Sequence, residues 1–203
     1  MILTSSDATA LHEQKVALRE EMRAMRDGLD ERAARMAARS FFLHASSLPG
    51  AKQATCVAAY EAFGKELSVR LLLEWWLSRG VRVLLPKVTG KGRMVFIECF
   101  APLDAALFAG KWGLREPVGE PVPIERADLV LVPGTGFDHH GGRLGMGGGF
   151  YDRALWSRRL HPSPVRYVGV GYDFQLLDRH VPMAPFDQRL DAVCTPRTWV
   201  RCR

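Results

Sequence analysis

Asp128-Leu129-Val130-Leu131-Val132-Pro133-Gly134 and, a few residues on, Gly141-Gly142-Arg143-Leu144-Gly145-Met146-Gly147-Gly148-Gly149-Phe150-Tyr151-Asp152-Arg153 form the stretch that decides the fold. The first part reads as a buried strand, an apolar run stopped by Pro133. The second part packs six glycines into nine residues and then opens a helix, expected from about Phe150 to Arg159. A strand, a loop and a helix in that order make the repeating unit of a parallel sheet.

The same alternation extends on both sides. Thr55 to Ala59 is a small-residue strand. Ser68 can cap a helix through Leu71, Leu72, Leu73, Trp75, Trp76 and Leu77, which Gly80 is placed to stop. Val81 to Leu85 is a buried strand halted by Pro86, and Met94 to Phe100 is another, entered through Thr89-Gly90-Lys91-Gly92. Tyr167 to Gly171 and Ala192 to Thr195 complete the strands, while Leu103 to Glu125, with three prolines, reads as irregular. Ahead of them, Leu11 to Arg26 carries a helical apolar stripe, and Asp30 caps a second helix to about Ser46, a unit that Pro49 and Gly50 end. The expected fold is α/β: a mostly parallel central sheet with helices on both faces. It forms a single domain over residues 11–203, after a frayed lead-in over 1–10. Its ligand crevice lies at the strand carboxyl ends.

Composition narrows the function classes. The 203 residues suit one α/β domain, and 47% hydrophobic with 25% charged residues is the balance of a soluble protein. No apolar run is long enough to cross a bilayer, and the start lacks a secretion signal, so no membrane and a cytoplasmic location are expected. Cys56, Cys99, Cys194 and Cys202 form no CxxC pair and read as reduced, mostly buried thiols. The formal charge of +6 favours anionic ligands. The basic residues are spread, with only short clusters such as Arg158-Arg159, and no RNA-binding motif is visible, so nucleic acid is not expected.

The chemistry should sit after the strands. Tyr60, Glu61 and Glu66 follow the first, Lys87 the second, the glycine loop the fifth, and Tyr172 with Asp173 the sixth. Glycines bring successive backbone N–H groups against anionic oxygens, and the following helix start favours phosphate. Arg143 adds a fork of donors, and Asp152 adds a hard oxygen suited to Mg²⁺. No Gly-Lys-Ser/Thr follows, so this is not a P-loop, and Phe150 stands where a dinucleotide fingerprint needs its third glycine. His139-His140 read as solvated, the remaining histidines lack metal-ligand spacing, and Trp75 and Trp76 read as helix packing. The residues alone say phosphate without saying which enzyme. A sugar-phosphate isomerase, an acyl-transfer protein or an RNA-binding protein would share the loop or the charge.

Taken together, Val132-Pro133-Gly134-Thr135-Gly136-Phe137-Asp138 with Gly141 and Arg143 to Arg153 resembles the motif of the 5-formyltetrahydrofolate cyclo-ligases. Lys15-Val16-Ala17-Leu18-Arg19, Glu66, Gly80 to Lys87, Trp112 to Pro117, Gly169 to Asp173 and Asp187 to Asp191 are similar to further blocks of that family. The resemblance implies an ATP-dependent enzyme that closes 5-formyltetrahydrofolate, with or without a polyglutamate tail, into 5,10-methenyltetrahydrofolate. It implies ATP and Mg²⁺ as cofactors and a monomer or weak homodimer. Lys15 and Arg143 would serve catalysis. Lys15, Arg19, Arg143, Leu144, Gly145, Met146, Gly147, Gly148, Gly149, Phe150 and Tyr151 would hold ATP. Arg19, Glu61, Glu66 and Met146 to Phe150 would meet the folate. Asp152 and Asp187 would hold Mg²⁺. Some family members carry Lys where Gly148 stands, and many carry His where Phe186 stands.

Overall fold

The structure is a computed structural model that describes residues 5–90, 92–110, 113–156 and 165–202. Along the chain, α1 (Ser5–Asp27), α2 (Glu31–Ser47) and the short α3 (Pro49–Gln53) precede β1 (Cys56–Ala58) and α4 (Arg70–Ser78). Next come β2 (Arg82–Gly90), β3 (Arg93–Cys99), α5 (Leu103–Ala106), β4 (Leu107–Ala109), β5 (Arg115–Pro117) and β6 (Pro121–Val122). The second half holds β7 (Leu129–Pro133), β8 (Gly136–Asp138), β9 (Arg143–Leu144), α6 (Phe150–Ala154), β10 (Arg166–Val170), β11 (Leu176–Leu177), β12 (Ala192–Cys194) and β13 (Trp199–Arg201).

Eight strands form the central sheet in the order β13-β12-β10-β7-β1-β2-β3-β6. Its middle, from β12 to β2, is parallel, and β13 and β3 join antiparallel at either side. The expected α/β architecture is therefore present, with antiparallel margins. Parallel strands are buried on both faces, which is why these segments are continuous apolar runs rather than alternating ones. Val57, Val83, Leu85, Leu131 and Val168 face one core, closed by Phe41, Ala45, Leu72, Leu73 and Trp76 of α2 and α4. Ala58, Leu84, Val130, Val132 and Val193 face the other, closed by Phe137, Leu155, Leu190 and α6. On that second face a small sheet, β11-β8-β9, does much of the covering. α1 docks on it through Leu18 and Met22 against Leu144 and Val181.

Several boundaries depart from the sequence reading. α1 begins at Ser5, so residues 5–10 of the expected lead-in are helical, and 1–4 lie outside the described residues. Asp30 caps α2 as expected, its side chain accepting from Ala33 N. Pro49 opens α3 instead of ending the unit, because a proline lacks only an N–H that a first helical turn leaves unpaired. α4 starts at Arg70 with Val69 in the cap position, while the Ser68 hydroxyl, one residue earlier, accepts from Arg70 N at 3.4 Å. β2 runs through Pro86 to Gly90. Its register with β1 ends at Leu84, so from there the strand is paired with β3 alone and tolerates a proline. The stretch expected to be irregular carries the β4–β5 pair and β6. α6 ends at Ala154, while Lys91, Trp112, Arg158-Arg159 and His161 lie outside the described residues. Among the described residues, no helix is long and apolar enough to cross a membrane.

Trp76 joins the helical layer to the chain before β1. It is 0% exposed, and its Nε1 donates to the Ala51 carbonyl at 2.9 Å. Trp76→Ala should cost about 3–5 kcal/mol, read as a lower denaturant midpoint at unchanged m-value. A loss under about 1 kcal/mol would mean that this contact does not hold the layer in place.

Candidate active site

The glycine loop is aimed by two buried side chains. Phe137, 0% exposed, lies so close to Gly134, Gly169 and Gly171 that a Cβ at any of them would stand 2.6–2.9 Å from its ring. Glycine there lets β8 fold back across the carboxyl ends of β7 and β10. Asp138, 2% exposed, then fixes the next turn. Its Oδ1 accepts from His140 N and Gly142 N, both at 2.8 Å, and its Oδ2 accepts from Val181 N at 2.8 Å. Gln175 adds bonds from Nε2 to the Gly134 and Thr135 carbonyls, and Thr135 N donates to Leu144 O. The chain thus leaves β9 in one direction, toward the carboxyl ends of β1 and β7.

There it forms one wall of a cavity of about 840 Å³. Arg143 to Arg153 line it continuously, with Lys15 and Arg19 from α1 and Asp187 from the C-terminal segment. Gly147 and Gly149 sit at φ +104° and +64°, in the region that favours glycine. Asp152 Oδ2 accepts from Arg143 Nη2 at 2.8 Å, and its Oδ1 accepts from Gln188 N at 3.2 Å. That second bond places Asp152 beside Asp187, the residue before Gln188. Asp187 is ion-paired with Lys15. Arg19 Nε donates to the Gly145 carbonyl at 2.8 Å. Burial lowers the pKa of Arg19, partly countered by Asp187.

Two buried donors in this wall have no partner among the described residues: Arg143 Nε and the Tyr151 hydroxyl. Burial, with Glu66 nearby, raises the Tyr151 pKa, so its phenol is a proton donor at neutral pH. Orphaned buried donors are costly in a folded protein and call for an acceptor. Backbone amides without side chains, four cationic groups and two unpaired donors fit a polyphosphate. Two neighbouring carboxylates fit a Mg²⁺ ion that keeps waters and shares phosphate oxygens. Among the described residues no set of three or more metal-ligating side chains comes together, so a cage made of protein alone is not available.

The rest of the lining is largely apolar and acidic. Tyr60, Glu61, Phe63 and Glu66 follow β1, Leu85, Pro86 and Val88 come from β2, and Glu116 comes from β5. Burial raises the Glu66 carboxyl pKa although Phe63 N donates to it at 3.0 Å. Burial also raises that of Glu61, which pairs with Arg70 at 3.2 Å. Glu116 is 8% exposed and accepts from Val88 N at 3.0 Å.

Every residue expected in the site lies on this cavity: Lys15, Arg19, Glu61, Glu66, the run Arg143 to Tyr151, Asp152 and Asp187. Three strand-end residues, Lys87, Tyr172 and Asp173, do not, and Tyr172 is instead buried and stacked on Phe174. Lys87 is inside β2 and does not line the cavity. Asp173 is turned to the far side, where it accepts from Thr195 Oγ1 at 2.6 Å and pairs with Arg197 at 3.0 Å. Glu116 and Arg153, which stand in family-like blocks without an assigned role, also line the cavity, as does Trp156. Glu116 carried a usable signal, a lone acid before a proline in an apolar stretch. Trp156 had none.

Likeness to known proteins gives the family. Residues 11–196 match the model of the 5-formyltetrahydrofolate cyclo-ligase family. The chain belongs to that family. The Escherichia coli K12 5-formyltetrahydrofolate cyclo-ligase is 34% identical over 157 residues, 74% of this chain and 84% of the relative. The Mycolicibacterium smegmatis 5-formyltetrahydrofolate cyclo-ligase is 36% identical over 146 residues, 70% and 73% of the two chains. The NMR structure of Aquifex aeolicus 5,10-methenyltetrahydrofolate synthetase superposes with a TM-score of 0.80 at 33% identity, covering 93% of each chain. As a cyclo-ligase family member, the chain is a ligase of folate metabolism, and the cavity shared by phosphate-type and acidic walls is its candidate active site.

The raised Glu66 pKa has a stability consequence. In the folded state this carboxyl holds its proton to higher pH than in the unfolded chain, so folding stability falls as pH rises from the ordinary carboxyl pKa through the folded one. Glu66→Gln removes that loss. The variant should gain stability over the parent as pH rises from about 4 toward 7 in urea titrations. A pH-independent difference would place the Glu66 carboxylate in water.

Proposed function

We propose that this chain converts 5-formyltetrahydrofolate to 5,10-methenyltetrahydrofolate with ATP, releasing ADP and phosphate. The reading rests on one observation: an amide-rich loop with four basic side chains lines the same cavity as the partly buried acids Glu61 and Glu66. Phosphate chemistry and pterin chemistry then share one space, as direct phosphoryl transfer requires.

The formyl group on N5 is an amide and a poor electrophile. MgATP, when bound, supplies the phosphoryl group that turns the formyl oxygen into a leaving group, after which N10 closes the ring. The protein's part is positioning and charge. Amides of Gly145 to Gly149, with Arg143, Leu144, Phe150 and Tyr151 around them, hold the triphosphate. Lys15 and Arg143 offset the charge that moves during transfer. Asp187 and Asp152, their partners in the free chain, hold Mg²⁺. Arg19 bridges the nucleotide and folate sides. Glu66 accepts hydrogen bonds from the pterin ring, and Glu61 with Met146 to Phe150 borders it. Tyr151 can donate its free hydroxyl at the junction, between Glu66 and Arg143, both close enough to influence its ionisation. The apolar wall of Phe63, Leu85 and Pro86 keeps water from the activated carbon. We place the reaction in the cytoplasm, where the free cysteines suit a reducing environment. Burial pushes the Cys194 thiol up to about 12, which leaves it unreactive.

Purified protein with 5-formyltetrahydrofolate and MgATP should develop the absorbance of the methenyl product, and none without ATP. Product formed at the same rate without nucleotide would overturn the ATP reading. Absence of product under all conditions would favour folate binding without turnover. Asp152→Asn should raise the Mg²⁺ concentration for half-maximal rate by about tenfold or more, given that even supporting residues of metal sites cost that much. An unchanged Mg²⁺ titration would remove Asp152 from the metal.

A further inference from the structure

The basic side chains at the glycine-loop end of the cavity are Lys15, Arg19, Arg143 and Arg153. Their charges are not equally available to a ligand. Lys15 is ion-paired with Asp187 and Arg143 with Asp152. Arg19 lies in the field of Asp187. Arg153 is different. Its Nε donates to Gly92 O at 2.8 Å and its Nη2 to Gly148 O at 2.5 Å, and among the described residues it has no carboxylate partner. Carbonyl dipoles orient a guanidinium without cancelling its charge.

The local sequence is cut to admit this side chain. A Cβ on Gly149 would stand 2.7 Å from Arg153 Nη1, and one on Gly92 would stand 2.8 Å from Nη2. The Phe150 ring lies 5.4 Å away on a further side. The two carbonyls and the ring thus orient the exposed guanidinium at the loop before any ligand arrives, which lowers the freedom lost on contact. A guanidinium carries five N–H donors, of which the two carbonyls use two, so about three remain for phosphate oxygens.

The geometry points to Arg153 as a further phosphate-binding residue, supplying one unoffset positive charge at the Gly148–Gly149 end of the loop. Lys15 and Arg19 mark the Gly145 end. The assignment rests on the reading that this loop holds MgATP. It also gives the β2–β3 turn a part in the site, since Gly92 holds the other side of the same guanidinium.

Titration calorimetry with MgATP, with inorganic tripolyphosphate plus Mg²⁺, and with 5-formyltetrahydrofolate tests it on the wild type, Arg153→Gln and Arg153→Lys. The Gln variant should bind both phosphate ligands about tenfold to a hundredfold more weakly, the worth of hydrogen bonds to a charged group. Its affinity should also depend less steeply on salt, and its folate affinity should stay unchanged. The Lys variant keeps the charge but cannot span the Gly92 and Gly148 carbonyls, and should recover most of the affinity. Equal weakening in both variants would mean that Arg153 only bridges two carbonyls, and would overturn the assignment. So would wild-type binding by Arg153→Gln. A wild type that binds neither phosphate ligand would overturn the ATP reading itself, and with it this assignment.

Discussion

The site depends on the carboxylate of Asp138. It is almost out of water, and it accepts three backbone hydrogen bonds, from two residues of its own turn and from Val181 far along the chain. A charged acceptor with three donors is satisfied where an unpaired one would be expelled. This matters because a glycine-rich segment has no order of its own. Its flexibility must be removed by its surroundings. Asp138 fixes the turn before β9, Phe137 fixes the strand before that turn, and Arg143 with Arg153 fixes the glycines between β9 and α6. The loop is rigid because its neighbours are.

Rigidity alone would make a turn; charge makes it a site. In the free chain the two strongest candidates for phosphate contact are each held by one of the two candidate metal ligands, Lys15 by Asp187 and Arg143 by Asp152. On the proposed reading, each acid stands in for a phosphate oxygen and each base for a cation. Nucleotide and metal together can relieve both pairs, whereas either alone leaves one partner exposed to its own kind of charge. On the other wall, burial disfavours the charged forms of Glu61 and Glu66, which readies them for a ligand rich in N–H groups.

Much of this was legible from the residues. Apolar runs at 83–85 and 129–132 mark strands buried on both faces, and glycines after the second mark a backbone that must approach a ligand. The motif from Arg143 to Asp152 and the distant Lys15, Arg19, Glu66 and Asp187 converge on one cavity. Spacing within the chain cannot show that convergence, because it depends on sheet order. The same limit explains the misses. Strand direction is not written in composition, so Lys87 and Asp173 looked like crevice residues until β2 proved longer than Pro86 suggests and Asp173 proved bound to Thr195 and Arg197. Arg153 closes the glycine-rich motif in the sequence, where nothing assigns it a role. Its environment is made by Gly92, 61 positions away.

The proposal that amides between Gly145 and Gly149 grip a triphosphate within reach of the pterin wall can be tested directly. The measurement is backbone amide NMR of the free protein titrated with a nonhydrolysable MgATP analogue. Such a grip requires the largest shifts at Gly145, Gly147, Gly148 and Gly149, with exchange slowed at the same amides. Undisturbed loop amides, with shifts gathered at some other surface, would contradict it.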